Sequence, residues 1–221
     1  MSSPYVDANL FEIESRNRFD SDRRASENGY RQHILKLSYG INDWFGLELS
    51  GKLEHLPQQG HSFSGNEIEA VFQFTETGEY WLDTGMKVGY GAAYTPYPYD
   101  ANSVSVNWLL AKRTEHFLHL ANIIIDHEVG THANANPEAE FRWASRVRHN
   151  QWINPGIEYY AAFGEISDSG SFDEQKHLAG PALYGDLPYD GLSYETGWLF
   201  GLSDAAEDQM VKLYIKYEFS L

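Results

Sequence analysis

Cysteine is absent from the 221 residues, which excludes thiolate metal sites, thiol nucleophiles and a disulfide framework. Basic residues are scarce: 16 Lys and Arg stand against 32 Asp and Glu, for a formal net charge of −16. Such a chain has little with which to neutralise phosphates, so no nucleic-acid partner is expected. No run of about 18 apolar residues occurs, which excludes a transmembrane helix. The mean hydropathy of −0.49 leaves a membrane barrel open, because a barrel shows only every second strand residue to lipid. Helical spacing of apolar residues at i, i+3 and i+4 is missing as well. The opening Met-Ser-Ser-Pro lacks the basic and apolar regions of a secretory leader, as expected of a mature or engineered chain.

Aromatics and glycine are plentiful, with 15 Tyr, 12 Phe, 6 Trp and 19 Gly, a composition suited to long antiparallel strands. Alternation at period two runs for about ten residues at a time. Val211, Leu213, Ile215, Tyr217 and Phe219 fall on one face of the last such stretch, opposite Lys212, Tyr214, Lys216 and Glu218. Similar stretches start at Leu10, Leu35, Phe45, Ile68, Tyr80, Val104, Phe141, Ile157 and Leu192. Phe117–Asp126 is apolar on both parities, which suggests a bulge or a strand buried on both faces. His177–Tyr184 contains Pro181, which suggests a second bulge. The expectation is an all-β fold over residues 1–221: one closed antiparallel transmembrane barrel of about twelve strands.

Parity alone does not say which face points inward. The connections decide for the membrane: Asp20–Gly29, Pro57–Asn66, Ala92–Asn102 and Gly130–Pro137 read as long, whereas Asn42-Asp43, Thr75–Gly78 and Lys112–Glu115 read as short. Short periplasmic turns opposite longer extracellular loops are an outer-membrane trait. Tyr39, Trp44, Phe45, Phe74, Tyr80, Trp108, Phe117, Trp152, Tyr217 and Phe219 gather towards the short-turn rim, as an interfacial girdle would. The polar parity carries charge in mid-strand, which suits a wet lumen.

The hairpin Tyr39-Gly40-Ile41-Asn42-Asp43-Trp44-Phe45-Gly46-Leu47-Glu48-Leu49, with the closing LYIKYEF, resembles small Gram-negative outer-membrane channels of about twelve strands, including the family associated with phenol degradation. In the hairpin, Asn-Asp supplies a tight turn and Gly40 and Gly46 relieve crowding beside it. The resemblance implies a porin-like channel for passive diffusion of small solutes, in the outer membrane and with both termini periplasmic. Its partners would be outer-membrane lipids and lipopolysaccharide, a small-molecule solute, and the barrel-assembly machinery acting on the strand that ends near Phe219.

The pore-lining and selectivity candidates are Arg16, Arg18, Lys36, Glu48, Lys52, Glu67, Glu69, Asp83, Lys87, Arg142, Arg146, Glu158, Glu195 and Lys212. Arg142 and Arg146, with Arg148, could face Glu48, Glu67 and Glu69 across the bore, or pair with neighbours such as Glu158 and close it. Tyr94, Tyr97 and Tyr99, in a proline-stiffened loop, could stack a solute at the mouth. No metal site, cofactor or catalytic residue is expected: His55/His61 and His127/His132 lack metal-site spacing. Two rival readings are an outer-membrane lipid-modifying hydrolase and a soluble lipocalin-like binding barrel. The first needs a Ser–His pair on the lipid face, and the only adjacent pair, in His61-Ser62-Phe63-Ser64, reads as loop. The second needs the apolar face turned in.

Overall fold

In the computed structural model, which describes residues 1–57, 60–94, 101–131 and 133–220, the chain forms a closed meander of twelve antiparallel strands. They are β1 (Leu10–Ser21), β2 (Arg31–Asn42), β3 (Phe45–Leu56), β4 (Gly60–Gln73), β5 (Asp83–Ala93) and β6 (Asn102–Arg113). β7 (Phe117–Val129), β8 (Glu138–Val147), β9 (Asn154–Glu165), β10 (Lys176–Asp186), β11 (Leu192–Gly201) and β12 (Gln209–Ser220) complete the wall. β12 closes on β1 from Leu10↔Ser220 to Ser21↔Gln209. A closed sheet has no edge, so every wall amide finds a partner without water.

The apolar parity faces outward. Leu35, Leu49, Leu53, Ile68, Ile123, Ile157, Leu213 and many neighbours are exposed, whereas Glu14, Lys36, Lys87, Glu158 and Lys212 are buried within. A water-soluble barrel is the reverse of this arrangement. The lipocalin-like alternative therefore fails on the side chains themselves.

The rim where β1 begins and β12 ends, here the terminal rim, has connections at 43–44, 74–82, 114–116, 148–153 and 187–191. The opposite, loop rim has 22–30, 57–59, 94–101, 130–137, 166–175 and 202–208. The asymmetry holds with two corrections. The expected loop Pro57–Asn66 is mostly strand, because β4 starts at Gly60 and His61 and Phe63 alternate outward from it. A register shift after Lys52 absorbs its Gly- and Ser-rich stretch. The expected short turn Thr75–Gly78 extends over 74–82, with Trp81 projecting from it. Trp108 also lies mid-strand, opposite Met86 and Ile123, rather than in a girdle.

Neither expected bulge forms. β7 keeps one register with β6 and with β8 throughout. Pro181 stays in register with Ile157, and the β11 ladder simply omits Gly180 and Pro181, where a proline has no N–H to give. The 42–45 turn is held by Asn42 Oδ1, which accepts from the Trp44 and Phe45 amides at 3.0 and 2.8 Å.

Candidate functional site: the barrel lumen and its inner segment

Residues 1–9 run inside the barrel. Ser2 exchanges two hydrogen bonds with the Asn122 amide, at 3.1 and 2.9 Å. Tyr5 donates its hydroxyl to Asp83 Oδ2 at 2.7 Å, and the Val6 amide donates to Gln73 Oε1 at 2.7 Å. Met1 and Tyr5 pack on Ala111, Leu118 and Leu120. This packing accounts for the double-sided apolarity of β7: its inward residues meet protein, its outward residues lipid. The segment joins the wall through Asn9, which takes a left-handed φ of 60° and donates to Gly40 O at 2.8 Å. Gly40 is glycine because a Cβ there would lie 2.0 Å from the Asp7 carbonyl oxygen. Its space is needed by the inner segment rather than by the turn, contrary to the sequence expectation.

The fourteen pore-lining candidates all lie on the inward parity, and eleven of them, all but Glu67, Asp83 and Arg146, fall into separate ion clusters. Glu48 lies 2.5 Å from Lys87 and 3.3 Å from Lys36; Lys36 also lies 3.3 Å from Glu14, which holds Arg16 at 2.7 Å. Lys212 lies 2.6 Å from Glu158, both with no exposed side-chain surface, and also contacts Glu195. Tyr160 and Tyr184 donate their hydroxyls to Glu158, and Lys212 reaches the Tyr160 oxygen at 2.8 Å. This many donors meet the hydrogen-bonding capacity of the Glu158 carboxylate in a dry site. Near the loop rim, Arg18 binds Asp20 and Glu207 at 2.7 and 3.0 Å, and Lys176 joins Glu207 at 3.2 Å. Lys52 pairs with Glu54 at 3.6 Å.

Among the described residues neither Arg142 nor Arg146 forms an ion pair with Glu48, Glu67, Glu69 or Glu158. Arg142 takes Glu140 on its own strand at 2.6 Å, and Arg146 stacks over the Tyr184 ring at 5.1 Å. Residues two apart on one strand share a face and meet more readily than groups across a bore. Asp83 is occupied by Tyr5 and by the Gly78 amide. Tyr94 packs its ring 5.7 Å from outward-facing Phe63, so it lies on the outer flank and not over the mouth. Tyr97 and Tyr99 fall outside the described residues.

Among the described residues the lumen holds a cavity of about 1110 Å³ towards the terminal rim and one of about 1120 Å³ towards the loop rim; Met1 and Ser2 border both. Their charges differ. The loop-side cavity has Arg16, Arg18, Lys52, Arg142 and Lys176 against Asp20, Glu27, Glu67, Glu69, Asp126, Glu128, Glu138, Glu140, Glu174 and Glu207. Five cations therefore face ten carboxylates. Glu67, Asp126, Glu128 and Glu138, on β4, β7 and β8, form an acidic arc with no ion pair among the described residues. In the terminal-side cavity Glu12, Glu14, Glu48, Asp186, Asp190, Glu195 and Glu218 match Arg16, Lys36, Lys87, Arg113, Arg146, Arg148 and Lys216.

Three similar structures share this wall. The NanC porin superposes with a TM-score of 0.64 at 8% identity, covering 95% of this chain and 100% of that one. The COG4313 outer membrane channel from Pseudomonas putida F1 gives 0.64 at 11% identity, with 97% and 96% covered. The fold is that of outer-membrane porins and channels. The beta domain of the Bordetella autotransporter BrkA is also similar, with a TM-score of 0.55, 14% identity and 96% and 98% coverage. No protein-family model matches the chain, and no curated protein matches it in sequence.

Two features bear on the hydrolase alternative. His61 and Ser62 sit on a strand, with Ser62 opposite inward Glu54 and His61 opposite outward His55. Adjacent strand residues point to opposite faces, so this pair does not assemble. Outward on β1 and β2, Asn17 donates its Nδ2 to Ser15 Oγ at 3.2 Å, and its Oδ1 accepts from His33 Nδ1 at 2.9 Å. The asparagine stands between hydroxyl and imidazole, whereas a serine nucleophile needs the imidazole as its immediate neighbour. Among the described residues no group of three His, Asp or Glu has the geometry of a metal site.

Proposed function

We propose that the protein is a passive channel for small hydrophilic or mildly amphipathic solutes, favouring cations and zwitterions over anions. The terminal rim lies in the periplasm and the loop rim outside, as the shorter connections at the terminal rim suggest. The observation that carries the reading is the pair of chambers, of about 1110 and 1120 Å³, meeting at Met1 and Ser2, the outer one lined by twice as many carboxylates as cations. An acidic vestibule with low-dielectric walls concentrates cations and repels anions before they reach the narrow section. The mixed pairs deeper in the lumen offer polar contacts without a strong net sign. The assembly machinery would take hold of β12, whose outward Tyr217 and Phe219 pack ring against ring.

Reversal potentials across planar bilayers in a KCl gradient test the proposal. Discrete conductance with cation preference is expected, and Glu67→Gln with Glu138→Gln should move the reversal potential towards zero. Absence of conductance from folded protein would refute the channel. An unchanged potential in the double variant would refute the vestibule as its filter.

A further inference from the structure

The outer surface near the loop rim carries a charge pattern opposite to that of the chain. On β1–β4 every strand carboxylate, from Glu12 and Glu14 through Asp20, Glu48 and Glu54 to Glu67 and Glu69, belongs to the inward parity. Outward at this end stand Arg31, His33, His55 and His61. Strand register places them together: Arg31 opposite His55, His55 opposite His61, and His33 one outward pair nearer the bilayer centre. The His55 and His61 rings lie 4.4 Å apart between centroids. His55 Nδ1 is buried and has no hydrogen-bond partner among the described residues. His33 Nδ1 is engaged by Asn17 at 2.9 Å, which leaves Nε2 uncommitted.

Four other basic groups outside the wall are already engaged. Arg24 is bound to Asp22 and Arg23 lies 3.6 Å from Asp204. His177 contacts the Tyr159 hydroxyl and Gln175, and Lys112 engages the Trp81 carbonyl. Arg31 has no ion pair among the described residues, although it belongs to a chain with a net charge of −16. Below the group lie exposed Leu35, Leu53 and Leu49, and exposed Phe19 and Phe63 flank it. The cluster therefore sits where the apolar band ends and headgroups begin.

We propose that this face binds the phosphate of an anionic membrane lipid, with Arg31, His55 and His61 donating to the phosphate and Leu35 and Leu53 lying along its acyl chains. A guanidinium matches phosphate oxygens in pairs, and imidazole N–H groups supply further donors. Basic groups at headgroup depth on strands β1–β4, which carry no outward carboxylate, fit a lipid rather than a soluble anion, since the acyl contacts lie directly beneath.

Native mass spectrometry of the full chain in non-ionic detergent tests this, with bis-phosphorylated lipid A as the probe. The comparators are the same glycolipid stripped of its phosphates, and inorganic phosphate. Wild type should retain lipid A and lose it on dephosphorylation. Arg31→Gln/His55→Leu/His61→Leu should weaken binding at least tenfold, while Lys112→Gln at the opposite rim leaves it unchanged. Folding is checked by gel mobility without heating; if the triple variant fails that check, Arg31→Gln alone should still cost severalfold. Equal binding by the variants, or by the dephosphorylated lipid, would overturn the proposal. Displacement of lipid A by equimolar inorganic phosphate would overturn it too, by making the site one for a soluble anion.

Discussion

Replacing Lys212 by Met tests whether the lumen wall is held together by its ions. The ammonium has no exposed surface and touches Glu158 at 2.6 Å, Glu195, and the Tyr160 hydroxyl. Methionine fills a similar volume, but it leaves two carboxylates facing one another without their shared cation. Removing one partner of a buried pair costs about 3–5 kcal/mol, a shift of roughly a hundredfold to several thousandfold in the folding equilibrium. A second change, Glu158→Gln, removes one of the stranded charges and keeps an oxygen to accept from Tyr160 and Tyr184, so it should recover a large part of the loss. The double-mutant cycle isolates the coupling. Urea unfolding in detergent–lipid micelles, followed by tryptophan emission and by unheated gel mobility, gives the midpoints. A loss under about 1 kcal/mol in Lys212→Met, or no recovery in the double variant, would mean that water already screens this cluster and that burial is not what gives it strength.

Three further perturbations address other parts of the molecule. Gly40→Ala puts a methyl group on the Asp7 carbonyl and should dislodge residues 1–9, raising single-channel conductance severalfold; deletion of residues 2–8 should do the same, and unchanged conductance in both would show that the segment does not set the bore. Leu213→Arg places a charge on the lipid face at mid-strand and should cost roughly 2–4 kcal/mol in bilayer folding, whereas Tyr214→Arg, facing the lumen, should cost far less; equal costs would contradict the assignment of faces. Hydrogen bonds from Arg24 hold the Asp22 carboxyl below its ordinary value, so this contact supports the 22–30 loop at neutral pH and is lost as acid titrates the group through that lowered value. Limited proteolysis should therefore cut this loop more readily in acid, with Asp22→Asn cutting readily at every pH; an equal rate for wild type and variant at pH 7 would remove the carboxylate from the account.

Strand count and sheet closure were readable because alternation is a one-dimensional signal, and period two survives even in β1 and β12, at the two ends of the chain. The first half of β4 was not readable: Ser62, Ser64, Gly65 and Asn66 have low strand propensity, and what recruits them is the ladder offered by β3. The inner segment was hidden for a different reason. Met1 to Asn9 has no periodicity: at Ser2 and Val6 its backbone is held by side chains of the wall, Asn122 and Gln73, rather than by a strand ladder. The inward leucines of β7 were its one trace, and they read as a bulge because nothing in the sequence offered a surface for them. Parity assigned all the lumen charges to one side, but pairing depends on closure: Lys212 meets Glu158 only because β9 to β12 wrap into adjacent staves. Arg142 met its own neighbour two residues away, an option available without any closure.

The seam between β1 and β12 joins the two most distant parts of the chain along their whole length. A piece that lacks either strand cannot close this seam. Omitting the twelfth strand would expose two rows of unpaired amides to hydrocarbon, each group at a cost of several kcal/mol. Insertion is consequently an all-or-nothing event, in which the most non-local contacts form last and the half-built sheet must be sheltered from solvent and from its own kind until they do.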